Sequence, residues 1–247
     1  MNFLAIIPAR YHSTRFPGKP LANISGKSMI TRVYEQASKA FDHVIVATDD
    51  NRILLHMREA GGKAVMTSAR HQSGTDRCYE ALVNYRQYTK LDFDAVINIQ
   101  GDEPFVDPEQ LTALTEVFGK TNTMIATLVK ELHDEKEIRN PNVVKVVISN
   151  AMNALYFSRH PVPYKRNDNQ NTIYYKHLGI YAYRAEILEK LTRLSPSMLE
   201  KTEGLEQLRW LENDFSIRCR VTSTESISID TPEDLEKAEQ YARQRGL

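Results

Sequence analysis

The sequence has little of what marks secreted, nucleic-acid-binding or membrane-spanning proteins. It holds only two cysteines in 247 residues, Cys78 and Cys219. They could pair with each other, but without a secretion signal the reduced state is the expected one. Neither has the spacing of a metal site, and no two of the seven histidines stand at ligand spacing beside a suitable third group. Charge of one sign is not in excess, because 32 lysines and arginines meet 32 aspartates and glutamates. Nothing therefore draws the whole chain to nucleic acid or an anionic membrane, and any affinity for phosphate must be local. Long apolar runs are missing too. Met1 to Pro8 is too short for a signal-peptide core or a membrane span and carries no basic leader. These absences predict a cytoplasmic protein, and no internal repeat or low-complexity stretch qualifies that expectation.

What is present is alternation. Phe3 to Ile7, His43 to Thr48, Lys63 to Thr67, Ala95 to Ile99 and Thr123 to Leu128 are short, apolar, β-branched runs bounded by breakers, the pattern of buried strands. Helical spacing fills the gaps: Met29, Ile30, Val33, Tyr34 and Ala37, then Ile53, Leu54, Met57 and Ala60 before Gly61-Gly62. The pattern predicts an α/β fold, a mostly parallel, doubly wound sheet in one domain spanning 1–247. Around 130–210 the alternation loosens into a strand-rich excursion, suited to a second substrate or an oligomer contact. Helices are expected over Ala185 to Leu191, Gly204 to Leu211 and after Asp230, where Thr231 can cap and Pro232 suits the first helical position.

On such sheets ligands sit beyond the carboxyl ends of the strands. Directly after the first strand, Ala9 to Leu21 places Arg10, Arg15 and Lys19 on one loop, with Pro17, Gly18 and Pro20 constraining the backbone. Two guanidinium forks and one compact ammonium match a triphosphate, and a solvated basic loop is the alternative. Gly26-Lys27-Ser28 imitates the end of a P-loop, but that motif requires glycine where this chain has Leu21. Asp102, after Gln100-Gly101, and Asp230, after Ile227-Ser228-Ile229, each follow a predicted strand. If those strands adjoin, the carboxylates converge beside the loop. Taken singly, each is better read as an ordinary turn or pre-helix residue.

Eight motifs occur in order: IIPARYHSTRFPGKPL at 6–21, HQSGTDR at 71–77, NIQGDEP at 98–104, NPNVVKVV at 140–147, ALYFSR at 154–159, KHLGIYAYR at 176–184, LEQLR at 205–209 and DTPEDLEKA at 230–238. Together they resemble the 3-deoxy-manno-octulosonate cytidylyltransferases, enzymes that join CMP from CTP to an eight-carbon sugar acid (KDO). Two departures stand out: Phe16 where leucine is usual, and Ser228 where many members have glycine.

The resemblance implies roles. Ala9, Arg10, Arg15 and Lys19 would grip CTP, with Ser73, Gly74 and Arg77 at its nucleoside, while Asp102 and Asp230 would hold Mg²⁺. Arg10, Lys19, Asp102 and Asp230 would form the catalytic set. Gln100, Arg159, His177, Tyr181, Glu206 and Gln207 would meet the sugar acid. His177 and Tyr181, four apart, share one face of a strand, where a satisfied core pair is equally compatible. The resemblance further implies a homodimer and a place in lipopolysaccharide biosynthesis. A transferase for another sugar, a glycosyltransferase and a non-catalytic nucleotide sensor are the rival readings.

Overall fold

The computed structural model describes residues 1–12, 16–120, 122–167 and 171–247. It is a mixed α/β fold that divides into two compact units, Met1–Leu111 with Ser226–Leu247, and Thr112–Glu225.

The first unit is built on β1 (Phe3–Ala9), whose Leu4, Ala5, Ile6 and Ile7 are wholly buried. A two-residue hairpin follows, β2 (Asn23–Ile24) and β3 (Lys27–Ser28), then α1 (Met29–Ala40), β4 (Val44–Thr48), α2 (Asn51–Glu59), β5 (Ala64–Met66), α3 (Gly74–Thr89) and β6 (Ala95–Asn98). The four main strands run parallel in the order β6-β1-β4-β5, with Ile6 opposite Asn98 on one side and Ile45 on the other. Such strands must be apolar along their whole length, because helices cover a parallel sheet. All five residues of β4 and all four of β6 are buried, in keeping with that rule. Helices α1, α2 and α3 pack on these strands. The unit is completed by the C-terminal helix Pro232–Gln244, which starts in a reciprocal capping box between Thr231 and Asp234, with Pro232 in its first turn.

Helix α4 (Pro108–Lys120) leads into the second unit. Its elements are β7 (Ile125–Leu132), α5 (Glu135–Arg139), β8 (Lys145–Ile148), β9 (Ala154–Ser158), β10 (Tyr174–Arg184), α6 (Ala185–Thr192), α7 (Met198–Glu203), α8 (Glu206–Glu212) and β11 (Ile217–Val221), and the C-terminal helix is then α9. Here pairing is mainly antiparallel, in the order β11-β7-β10-β8-β9. The sheet curls until its ends meet: Asn153 bridges Arg218, and the Cys219 N–H donates to the Met152 carbonyl at 2.7 Å. Lys145, wholly buried, directs its ammonium at three carbonyls, of Asn140, Val143 and Arg159, at 2.6 to 2.9 Å. Both cysteines are buried thiols that are not joined in a disulfide. Among the described residues no helix is long and apolar enough to cross a membrane.

Candidate functional site

Beyond the carboxyl ends of β1 and β6 the first unit gathers six of the residues singled out in the sequence. A cavity of about 580 Å³ is lined by Ala9, Arg10, Lys19, Gln100, Asp102 and Asp230, joined by His12, which the sequence reading passed over.

Local backbone chemistry puts each group there. Gly18 adopts a left-handed conformation (φ 73°), its N–H donates to the Tyr11 carbonyl at 2.8 Å, and it opens the single 3-10 turn Lys19–Leu21 in which Pro20 is buried. Lys19 is thereby fixed at its backbone and free only along its stem. Its ammonium donates to Asp102 Oδ2 at 2.8 Å, to the Ile229 carbonyl at 2.9 Å and to Asp230 Oδ1 at 3.2 Å. Arg15, the loop's remaining cation, lies outside the described residues.

The two aspartates converge, though not by the expected route. Ile227 to Ile229 is not a strand beside β6. It is a segment without strand pairing, held by the Ile229 N–H donating to the Asp102 carbonyl at 2.9 Å and by the Ile229 carbonyl accepting from Lys19, with the Ile229 side chain wholly buried. Ser228 does not prevent this approach. Gly101 permits close contact on the other side, since a Cβ there would stand 2.8 Å from the Pro8 carbonyl oxygen. The result is two carboxylates within reach of one ammonium. Oxygen donors of this kind suit Mg²⁺, which takes one or two carboxylates and completes its shell with phosphate and water. Among the described residues there is no cluster of three or more His, Cys, Asp or Glu fit for a metal.

Arg10 reaches the next segment, its Nη2 donating to the Gln72 carbonyl at 2.9 Å. Ser73 caps α3, accepting from the Asp76 N–H at 3.1 Å, while Thr75 is buried. Gly74 packs against Pro8 and Asn98. Arg77, expected at the nucleoside, has a side chain that is 0% exposed and holds Asp49 Oδ2 at 2.8 Å and Thr67 Oγ1 at 2.6 Å. It braces the end of β4 against α3, and its Nε is buried without a hydrogen-bond partner among the described residues. Asn98 Oδ1, also buried, has no hydrogen-bond partner among the described residues.

Of the residues expected at the sugar acid, Gln100 belongs to the first unit and the other five to the second. In β10 a bulge between Leu178 and Tyr181 puts His177 opposite Val129 and Tyr181 opposite Thr127. An unbroken strand would separate residues four apart by about 13 Å. The bulge keeps their shared face and brings the two rings to 5.2 Å. Phe157 meets His177 at 5.0 Å, and Trp210 stands edge-on to Tyr181 at 5.0 Å. Thr127 Oγ1 lies 3.1 Å from His177 Nε2. Burial pushes the His177 pKa down to about 3, so its imidazole is neutral. It pushes the Tyr181 phenol well up, aided by Tyr183 and Glu206.

Two polar atoms in this cluster, Tyr181 Oη and Trp210 Nε1, are buried without a partner among the described residues. Trp210 was not legible as a site residue, since one tryptophan on a helix reads as core. Gln207 is buried beside it on α8. Arg159 is anchored to the α7–α8 junction, donating to the Glu203 carbonyl at 2.7 Å and to the Pro141 carbonyl at 3.0 Å. It lines a second cavity, of about 620 Å³, with Arg139, His160 and Lys165.

Comparison with known proteins gives the family. The profile of the cytidylyltransferase family matches residues 4–227. A 3-deoxy-manno-octulosonate cytidylyltransferase of Bacteroides thetaiotaomicron is 51% identical over 99% of this chain and 100% of its own. Its counterpart in Thermodesulfovibrio yellowstonii is 48% identical over 97% of each. The solved structure of a CMP:2-keto-3-deoxy-manno-octonic acid synthetase complexed with CTP superposes with a TM-score of 0.92 at 40% identity, covering 99% of this chain and 100% of that one. The chain thus belongs to the cytidylyltransferase family and, within it, to the 3-deoxy-manno-octulosonate cytidylyltransferases.

Proposed function

We propose that this chain transfers CMP from CTP to 3-deoxy-D-manno-octulosonate, releasing pyrophosphate and activating the sugar for lipopolysaccharide biosynthesis. The observation that carries the reading is the meeting of Lys19, Asp102 and Asp230 beside Arg10, in a chain whose relatives bear that activity in their names over their full length. The anomeric hydroxyl oxygen attacks the α-phosphorus and gives up its proton to water, the α–β phosphoanhydride bond breaks, and pyrophosphate leaves with the electron pair. Such transfers depend on positioning and charge stabilisation more than on covalent help from the protein.

Arg10 and Arg15 neutralise the triphosphate, with Ala9, Ser73 and Gly74 placing the nucleotide. Asp102 and Asp230 are the residues that would hold Mg²⁺. When bound, that ion supplies positive charge against the phosphates. The sugar acid is assigned to Gln100, Arg159, His177, Tyr181, Glu206 and Gln207. The unpartnered Tyr181 hydroxyl and Trp210 indole N–H support that assignment, because a polyhydroxylated ligand satisfies both. We further place the enzyme in the cytoplasm as a homodimer.

The test is pyrophosphate release by the purified chain over a panel of nucleotides and sugar acids with Mg²⁺. CTP with KDO should turn over fastest, and Asp102→Ala should lose nearly all turnover while keeping its melting temperature within a few degrees. Preference for another pair, or near-wild-type turnover of Asp102→Ala at saturating CTP and Mg²⁺, overturns the reading. Consumption of CMP-sugar without pyrophosphate would mark a glycosyltransferase instead.

A further inference from the structure

We propose that Lys19 is the built-in counter-cation of the two-aspartate site: its ammonium holds Asp102 and Asp230 together, competes with a divalent cation for them, and turns to the nucleotide's phosphates only when that cation displaces it. The inference rests on the reading of Asp102 and Asp230 as the metal-holding pair.

An ammonium has three protons, and all three are engaged, by Asp102 Oδ2 at 2.8 Å, the Ile229 carbonyl at 2.9 Å and Asp230 Oδ1 at 3.2 Å. None is left for a phosphate oxygen. The side chain is 15% exposed, against 26% for Asp102 and 43% for Asp230, so the lysine approaches from the protein side while the carboxylates keep an open side. In these contacts Lys19 cannot be the phosphate ligand that its place on the loop suggests. It becomes one only by giving up at least one aspartate.

What drives that exchange is charge. A divalent cation on either carboxylate stands a few ångströms from the ammonium, and two positive charges at that range in a partly buried site repel strongly. Anchorage of the backbone favours a swing over a collapse. Gly18 and the turn Lys19–Leu21 fix the root of the side chain, the Ile229 N–H fixes Asp102, and the α9 cap fixes the chain just past Asp230. A stem of four methylenes can rotate between these fixed points, whereas a guanidinium fork could not as readily. Nucleotide and metal binding are then coupled: the metal frees the lysine, and the phosphates give it a new partner. Lys19 is thus a positioning residue before it is a phosphate ligand.

The experiment uses Mn²⁺ as the probe on the full chain without nucleotide, measured by the electron paramagnetic resonance of free Mn²⁺, for wild type, Lys19→Met, Lys19→Gln and Asp102→Asn. Removing the ammonium should tighten Mn²⁺ at least about tenfold in Lys19→Met. Lys19→Gln, neutral but still able to donate to a carboxylate, should follow it and decides the matter if the methionine variant does not fold. Unchanged or weaker Mn²⁺ binding in folded Lys19→Met or Lys19→Gln overturns the proposal. Asp102→Asn should lose Mn²⁺. If it does not, the assignment of the metal pair fails, a different result from failure of the competition. As a second arm, CTP affinity is compared between wild type and the lysine variants in EDTA and in Mn²⁺. The handover predicts near-equal affinities in EDTA and a loss of about tenfold in the variants in Mn²⁺. An equal loss under both conditions shows that Lys19 holds phosphate whether or not the metal is present, and the proposal falls.

Discussion

Acidification should destabilise the second unit through His177, and the size of the effect can be worked out. Its ring is enclosed by Phe157, Tyr181 and Thr127, and burial takes its pKa from the ordinary 6.5 down to about 3. The unfolded chain therefore takes up a proton as pH falls through 6.5, while the folded chain does not until about pH 3. Stability linked to this group is present above pH 6.5 and is lost progressively as pH drops between those values. At 1.36 kcal/mol per unit, the loss between pH 7 and pH 5 is at most about 2 kcal/mol, an upper bound because the ring is not wholly withdrawn from solvent. Urea denaturation of wild type and His177→Gln at the two pH values isolates it, since every other titrating group is common to both chains. Wild type should lose up to about 2 kcal/mol more than the variant on going to pH 5. Identical pH dependence in the two proteins, or an NMR titration of His177 centred near 6.5, would refute the assignment of a buried, neutral imidazole.

Arg77→Met should cost about 3–5 kcal/mol, because it leaves the Asp49 carboxylate and the Thr67 hydroxyl without their donor in a buried setting. Thermal or chemical denaturation checks this, and a variant of unchanged stability would refute the bracing role. Gly101→Ala pushes a methyl onto the Pro8 carbonyl, so it should cost about 1–3 kcal/mol and displace Asp102 enough to cut pyrophosphate release. Wild-type turnover in that variant would mean the turn yields without moving the carboxylate.

The core of the first unit was legible because a parallel strand covered on both faces leaves an unbroken apolar run, and β1, β4 and β6 are such runs. The start of α9 was legible for a similarly local reason: Thr231, Pro232 and Asp234 each have one favoured position at a helix N-terminus. What was not legible was whatever depended on distant partners. The partner of Arg77 could not be read from its motif, because only the fold brings Asp49, 28 residues earlier, onto its guanidinium. Ile227 to Ile229 looked like a strand because it is apolar, but only the Ile229 N–H finds a carbonyl, that of Asp102. The nearness of His177 and Tyr181 came from a two-residue bulge that no pattern announced, although period two correctly put them on one face. Helix α4 was not foreseen, although Pro108 and Glu109 suit a first turn.

The loop that carries Arg10 and Lys19 is therefore not a simple basic cradle. Within the cavity those two cations face Asp102 and Asp230, so the formal charges of these four groups cancel, and one cation is already bound to both anions. A bare triphosphate meets no net attraction from such a set, since the carboxylates repel it as the arginine draws it in. On the proposed handover, a triphosphate that arrives with a divalent cation would meet the reverse, because the cation would take the aspartates and return the lysine's charge to the phosphates. A loop with three cations and no acids nearby would hold any polyphosphate tightly and indiscriminately. With two carboxylates set against it, the proposed handover would make affinity for the nucleotide conditional on a divalent cation.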